Sequence, residues 1–208
     1  SLSHILAPRH SPAQFFAMAR ALGVTDVEIR NDTPNVVGTL PGSFVKTAAE
    51  AAGVNLLSIN ALYPFNVWND DRRAQTERLA DYAAASGAKA LVMCPLNDGT
   101  PVSHADVVTA LKAIKPILES RGITGLVEPL GFPISSLRRK ADAIAAIQEA
   151  GGEGLFKLVH DTFHHHLAGE TEFFPDWTGL VHISGVADAD VTVDQMLDAH
   201  RVLVDKRD

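Results

Sequence analysis

The chain has 208 residues, 46% apolar and 21% charged, with a formal net charge of −7. That is the profile of a folded protein of one sizeable domain or two small ones, not of a disordered tract. The acidic balance excludes nucleic acid as the expected partner, because phosphate contacts need a clustered basic surface; the one dense basic run, Arg138 to Lys140, reads as a solvated helix face. Apolar runs fall far short of the roughly 20 residues of a membrane helix. The N-terminal SLSHILAPRH is not a signal peptide, and the lone Cys94 allows no internal disulfide and fits a reducing cytoplasm.

In chain order, short strand-like runs fall at 3–7, 24–30, 55–60, 88–94, 122–128, 155–161 and 179–184. Four helical stretches lie among them. The first has Ser11 as N-cap, Pro12 at its first position and Gly23 as stop. The second is capped by Asp70 or Asp71 and stopped at Gly87, the third runs from Ser103 to Gly122, and the fourth from Ser135 or Ser136 to Gly151. Pro116 is expected to kink the third or end it early. Strand and helix alternating at this spacing predict βαβ units and a parallel sheet. A doubly wound dinucleotide-binding sheet would carry a glycine fingerprint after its first strand; here PRHSPAQ follows, without glycine. The pattern therefore predicts a (β/α)8 TIM barrel, α/β in class, as one domain over residues 1–208. Only seven strands are found where eight are needed, and such a barrel takes about 250 residues, so the expectation is a domain whose eighth strand lies beyond the C-terminal end.

Functional groups of such barrels sit at the C-terminal ends of the strands. The strands here end in Glu28 and Arg30, Asn60, Cys94, Glu128, Asp161, and His182 with Ser184. Side-chain alternation puts Thr124, Leu126 and Glu128 on one strand face, Lys157, Val159 and Asp161 on another, and Leu180, His182 and Ser184 on a third. If these faces point inward, two carboxylates and an imidazole converge. Such a set suits one divalent ion, Zn²⁺, Mn²⁺, Co²⁺ or Fe²⁺, better than a soft metal that wants thiolates. The stretch LVHDTFHHHL, residues 158–167, adds His160, which alternates towards the helices, and His164, His165 and His166 just after the strand. Glu28 and Arg30 share a strand face and could pair with each other. Tyr63, Phe65 and Trp68 could wall a sugar ring or pack their loop. Cys94 has no evident base beside it and reads as a small buried residue.

The segments GLVEPLGF, LVHDTFHH and LVHISG, in this order and spacing, resemble the sugar-phosphate isomerase/epimerase superfamily of xylose isomerase-like TIM barrels, over nearly the whole chain. VEIRND, CPLNDG and EPLGFPISSLR look most like its inosose isomerases. The resemblance implies that Glu128, Asp161 and His182 bind one divalent metal, and that His164, of the D-x-x-H motif, faces substrate. Second-tier substrate contacts are His4, Glu28, Arg30, Asn60 and His165. The implied chemistry is proton abstraction α to the carbonyl of a keto-polyol or ketose, with Glu128 in an acid/base role and a small sugar or cyclitol as the partner. Homo-oligomers are possible, though no sequence feature establishes one. The family's fourth ligand, a strand-eight Glu, has no counterpart in the chain, and the Arg that follows the strand-seven His is replaced by Asp188. An inosose dehydratase and a non-catalytic polyol-binding barrel are the alternatives.

Overall fold

The computed structural model describes residues 1–33, 39–186 and 190–204. Its elements are β1 (Leu2–Ser3), α1 (Pro12–Ala21), β2 (Asp26–Arg30), α2 (Gly42–Ala52), β3 (Asn55–Leu62), α3 (Asp70–Ser86), β4 (Ala90–Met93), α4 (His104–Glu119), β5 (Thr124–Val127), α5 (Lys140–Glu149), β6 (Phe156–Asp161), α6 (Thr162–Ala168), β7 (Thr178–His182), β8 (Gly185–Val186) and β9 (Arg201–Val202). The seven strands of the main sheet stand in chain order, β1-β2-β3-β4-β5-β6-β7. A doubly wound sheet reverses its strand order at a switch point. The absence of a reversal among the described strands is the order of a barrel-type βα repeat. β8 and β9 form a separate antiparallel pair, with Gly185 opposite Val202 and residue 186 opposite Arg201. Among the described residues no eighth strand joins the main sheet.

Contacts divide the chain into two compact units. The first comprises Ser1–Leu62, Asn69–Met93 and Ile114–Gly125. Its strands β1 to β4 pair in parallel with their neighbours. Phe15 and Phe16 of α1, Val45 of α2 and Val27, Ile29, Ile59 and Leu62 of the strands are fully buried, each worth roughly 1.5–3 kcal/mol relative to exposure. α1 opens as expected: Ser11 Oγ accepts from the Gln14 amide while the Gln14 side chain accepts from the Ser11 amide, satisfying two orphan donors at once. The cap of α3 is Asn69, not Asp70 or Asp71; its side chain accepts from the Arg72 amide at 2.8 Å. The two aspartates occupy the first turn, where the helix dipole favours them.

The second unit comprises Tyr63–Trp68, Cys94–Ala113 and Leu126–Asp208. Here β6 and β7 pair in parallel, with Asp161 opposite His182. Leu130, Phe132, Phe163, Leu167 and Met196 form a buried cluster, against which Cys94 and Val191 pack. α4 continues through Pro116 to Glu119. Pro116 falls in the last turn, so its missing N–H costs the helix little of its remaining length. α5 begins only at Lys140, with Arg139 at its cap position and no side-chain cap bond. Ser135 and Ser136 instead fold the preceding loop: Ser135 Oγ bonds Leu137, and Ser136 Oγ donates to Leu96 O at 2.8 Å. The basic run Arg138 to Lys140 is therefore not a solvated helix face. Arg138 donates to the carbonyls of Gly131 and Leu167, and Lys140 is buried.

His4 anchors the start of the first unit. It is fully buried, stacked on Phe15 at 4.8 Å, and its Nε2 donates to His10 O at 2.9 Å. Desolvation by burial holds its pKa below the ordinary value. Burial lowers His160, His164 and His165 in the same direction. A histidine depressed on folding binds its proton more readily in the unfolded chain. The stability it contributes is then present above the unfolded pKa of about 6.5 and lost as pH falls. The melting temperature is expected to fall between pH 7.5 and 5.5, and His4→Gln to flatten part of that slope, the other histidines keeping the rest. An unchanged slope in His4→Gln would show that His4 does not contribute.

Candidate functional site

The D-x-x-H spacing has a local cause. Asp161 ends β6 and is the N-cap of α6. Its Oδ1 accepts from the amides of Phe163, at 2.8 Å, and His164, at 3.2 Å. A cap aspartate and the residue three further on lie at the same helix mouth, so capping fixes the Asp161 carboxylate and brings His164 beside it. Thr162 ties this junction to the residues that follow β7: its Oγ1 donates to Ser184 O and accepts from the Ser184 amide, both at 3.2 Å. Gly131, after β5, lies so close to α6 that a Cβ there would overlap the backbone of His164 and Ala168.

Glu128, Asp161 and His182 come together. One donor atom from each lies within 4.8 Å of the others. His182 Nδ1 is 3.0 Å from Glu128 Oε1 and 4.0 Å from Asp161 Oδ2. The carboxylates are buried, their side chains 6% and 2% exposed. Metal–oxygen and metal–nitrogen bonds of about 2.0–2.2 Å place two ligand atoms of one ion up to about 4.4 Å apart. Two carboxylate oxygens and one imidazole nitrogen at these separations therefore fit a single borderline-hard divalent ion with little movement. Cys94 Sγ donates to the other Glu128 oxygen, Oε2, at 3.4 Å.

A guanidinium completes the site. Arg201 Nη1 donates to Asp161 Oδ2 at 2.8 Å and to Ser184 Oγ at 3.2 Å, and Nη2 donates to His164 Nε2 at 2.8 Å. Its Nε donates to Asp198, and its carbon lies 4.2 Å over the centre of the Phe163 ring. Burial alone would push the Asp161 carboxyl up, but Arg201 and the neighbouring histidines outweigh it and hold it below the usual carboxylate value. Because Nε2 of His164 accepts from Arg201, the ring proton of the neutral imidazole sits on Nδ1. That nitrogen is buried and has no hydrogen-bond partner, and desolvation keeps the ring's pKa low. An orphaned buried donor costs about 1–3 kcal/mol.

Sequence reasoning missed Arg201. Where the family resemblance calls for an arginine just after His182, the chain offers Asp188, which lies outside the described residues. The segment that brings Arg201 back is pinned by Met196, which is buried in the Phe132–Phe163 cluster, while the adjacent Leu197 is exposed; the sequence does not mark which of the two faces inward.

The remaining candidates separate into two further groups. His165 belongs to a cluster on the other side of β6 from Asp161. There Lys140 Nζ donates to His165 Nδ1 and to Glu170 Oε2, both at 2.7 Å. Glu170 Oε1 also accepts from the Lys140 amide, so it caps α5. The rings of His160, His165 and Phe173 gather beside this ion pair, so His160 does point away from Asp161. His166 is exposed. In the first unit, Glu28 is buried and accepts from Ser3 at 3.1 Å, Ser58 at 2.8 Å and Asn60 at 3.2 Å. Arg30 makes a two-bond pair with Asp32, at 2.9 and 2.6 Å. In the loop after β3, Phe65 is fully buried and its amide donates to Cys94 O, while Tyr63 Oη accepts from the Asn97 amide; both side chains take part in holding that loop.

The chain matches the family model of the xylose isomerase-like TIM barrel over residues 16–205, and it belongs to that family. Similar solved structures agree. A xylose isomerase domain containing protein from Salmonella typhimurium LT2 is 40% identical, with a TM-score of 0.93, over 100% of this chain and 78% of that one. An IolI protein with a bound zinc atom has a TM-score of 0.84 at 18% identity, covering 97% of this chain and 77% of that one. A D-psicose 3-epimerase, solved in the presence of D-fructose, has a TM-score of 0.71 at 16% identity, covering 92% and 76%. These last two share the fold. The comparison with curated proteins returned no match. Among the described residues no helix is long and apolar enough to cross a membrane.

Two substitutions test how the site is held. Gly131→Ala forces a methyl against the α6 backbone and is expected to cost about 1–3 kcal/mol in urea unfolding while shifting the His164 ring resonances; neither change would mean the loop yields freely. Glu170→Ala strands the Lys140 ammonium, 3% exposed, and is expected to cost about 3–5 kcal/mol. Lys140→Met in that background should recover part of the loss in the same titration.

Proposed function

We propose that the chain is a divalent-metal-dependent isomerase or epimerase that moves a proton α to the carbonyl of a ketose or inosose-like keto-polyol. The observation that carries this reading is the Glu128–Asp161–His182 cluster, two buried carboxylates and an imidazole at ligand spacing, in a chain of this family. The zinc of the IolI neighbour and the sugar in the epimerase structure support the ligand classes.

In this reading Glu128, Asp161 and His182 hold one ion. When bound, that ion polarises the substrate carbonyl and stabilises the negative charge that develops next to it. Glu128 is one of the acid/base groups, removing or returning the proton on one face of the substrate. Its two oxygens already have different neighbours: Oε1 lies against His182, and Oε2 accepts from Cys94. Proton transfer at Oε2 would displace the Cys94 thiol. His164 contributes the orphaned Nδ1 donor, which a substrate hydroxyl or carbonyl oxygen satisfies. That gain is realised only when the substrate is in place, so it supports orientation as well as affinity. Phe132 and Phe163 pack edge-on to the His164 ring at 5.1 and 5.5 Å and fix its plane.

The test begins with metal content by mass spectrometry. About one divalent ion per chain is expected in the wild type and none in Asp161→Ala. Inososes and ketoses are then incubated with the protein in D2O and followed by NMR. Deuterium entering the carbon next to the carbonyl, with loss of about 10²–10⁴-fold in Glu128→Gln, supports proton transfer; a product lacking the elements of water would make the protein a dehydratase. A wild type that takes up no Zn²⁺, Mn²⁺, Co²⁺ or Fe²⁺ on reloading sinks the metal reading.

A further inference from the structure

We infer that Arg201 is an internal counter-cation that keeps the candidate metal site assembled in the unloaded protein, and that it competes with the divalent ion for Asp161. The inference rests on the metal reading above and concerns a residue outside the ligand set.

The two oxygens of Asp161 are not equivalent. Oδ1 is occupied by the amides of Phe163 and His164 as part of the α6 cap. Oδ2 is the oxygen 4.0 Å from His182 Nδ1, and so the one an ion shared with His182 and Glu128 would take. Arg201 Nη1 donates to that same Oδ2 at 2.8 Å. Two buried carboxylates so close to one another repel, and burial leaves little solvent to screen them. Among the described groups that donate to Asp161 Oδ2, the guanidinium is the one that carries a fixed positive charge.

Its placement is built, not incidental. The same guanidinium is held by Ser184, His164 and Asp198 and stacks on Phe163. The β8–β9 pairing sets its register, and Met196 buries the turn that precedes it. A unit positive charge in contact with a ligand oxygen opposes a doubly charged ion on that oxygen. The two cannot both hold Oδ2 at full strength. Loading the ion therefore loosens Arg201 from Asp161 and frees the guanidinium donors for a substrate oxygen.

The experiment compares the full wild-type chain with Arg201→Met and Arg201→Lys, all stripped of metal, by competition with a chromophoric chelator for Zn²⁺ and Mn²⁺. Arg201→Met keeps an unbranched apolar stem, lacks the guanidinium fork and removes its charge, and is expected to bind at least about tenfold more tightly, with Arg201→Lys between it and the wild type. Unloaded Arg201→Met should melt below the wild type, and saturating Zn²⁺ should close the gap. In the wild type, Zn²⁺ should speed amide exchange over residues 196–203. Equal or weaker binding by a folded Arg201→Met, judged by circular dichroism, overturns the competition and leaves the metal reading standing. If Arg201→Met does not fold, Arg201→Lys decides: its ammonium cannot reproduce the fork of bonds to Asp161, Ser184 and His164, so unchanged affinity overturns the inference. Wild type and variants that all bind no more Zn²⁺ or Mn²⁺ than Asp161→Ala overturn the metal reading, and the competition with it.

Discussion

Two carboxylates, Glu128 and Asp161, are buried within ligand distance of each other in the second unit, and the region's structure follows from the need to compensate them. Ionised carboxylates out of water are tolerated only when paired and hydrogen-bonded. Asp161 meets that need three ways: helix-cap amides on one oxygen, Arg201 on the other, and His182 across the β6–β7 register. Glu128 meets it with His182 and the Cys94 thiol. Remove the compensation and neither the strand-end register nor the start of α6 has a reason to keep its geometry.

The same requirement links local structure to long-range packing. The α6 cap is local, settled within four residues. Its orientation is not: Gly131 lets the β5 loop rest directly on the α6 backbone, and Arg138 ties that loop to the end of α6 through the carbonyls of Gly131 and Leu167. The outer side of β6 uses a different solution to the same problem. Lys140 and Glu170 form a pair 3% and 10% exposed, and His165 joins it as a neutral acceptor. His160 and His165 serve that packing, while His164, one residue before His165, serves the site. Three successive histidines thus have three environments, one of them solvent.

How much of this was legible follows from how local each determinant is. The strands other than the first, the Ser11 cap of α1 and the Asp161–His164 motif depend on neighbours a few residues away and could be read; the first strand, expected at 3–7, is a strand only at Leu2–Ser3 and gives way to a 3-10 turn over His4–Leu6. The converging trio was readable too, because strand alternation and common strand ends are properties of a repeating βα pattern. α2 was not recognised: it starts at Gly42 after Pro41, without a polar cap, and only its αL stop at Gly53 carries a signal. The late start of α5 was hidden because Ser135 and Ser136, good cap residues, are used in a loop, while the cap comes from Glu170, thirty positions on. Arg201 was illegible for the same reason. Its partners lie up to forty residues away, and nothing in its own neighbourhood announces them. The basic run Arg138 to Lys140 misled because charge in sequence predicts exposure only when no acidic or carbonyl partner waits in the fold.

The charges also bear on what can enter. Glu128 and Asp161 carry two negative charges, Arg201 one positive, and His164 is held neutral by burial. A divalent ion adds two positive charges to this group and shifts its balance away from repelling anions. In the proposed reading, a neutral keto-polyol would enter such a site without a large electrostatic cost in either state, and the negative charge that would grow on its carbonyl oxygen during proton removal would be favoured only in the loaded one. The preference thus acts on the charge that develops and not on the ground-state substrate, which is the condition for an interaction to accelerate a reaction instead of merely binding. The neutral imidazole of His164 is part of the same logic. A charged one would bind the ground-state oxygens and repel the ion, whereas a neutral ring with its proton on Nδ1 can orient a hydroxyl and leave the field of the site to the carboxylates and the cation they hold.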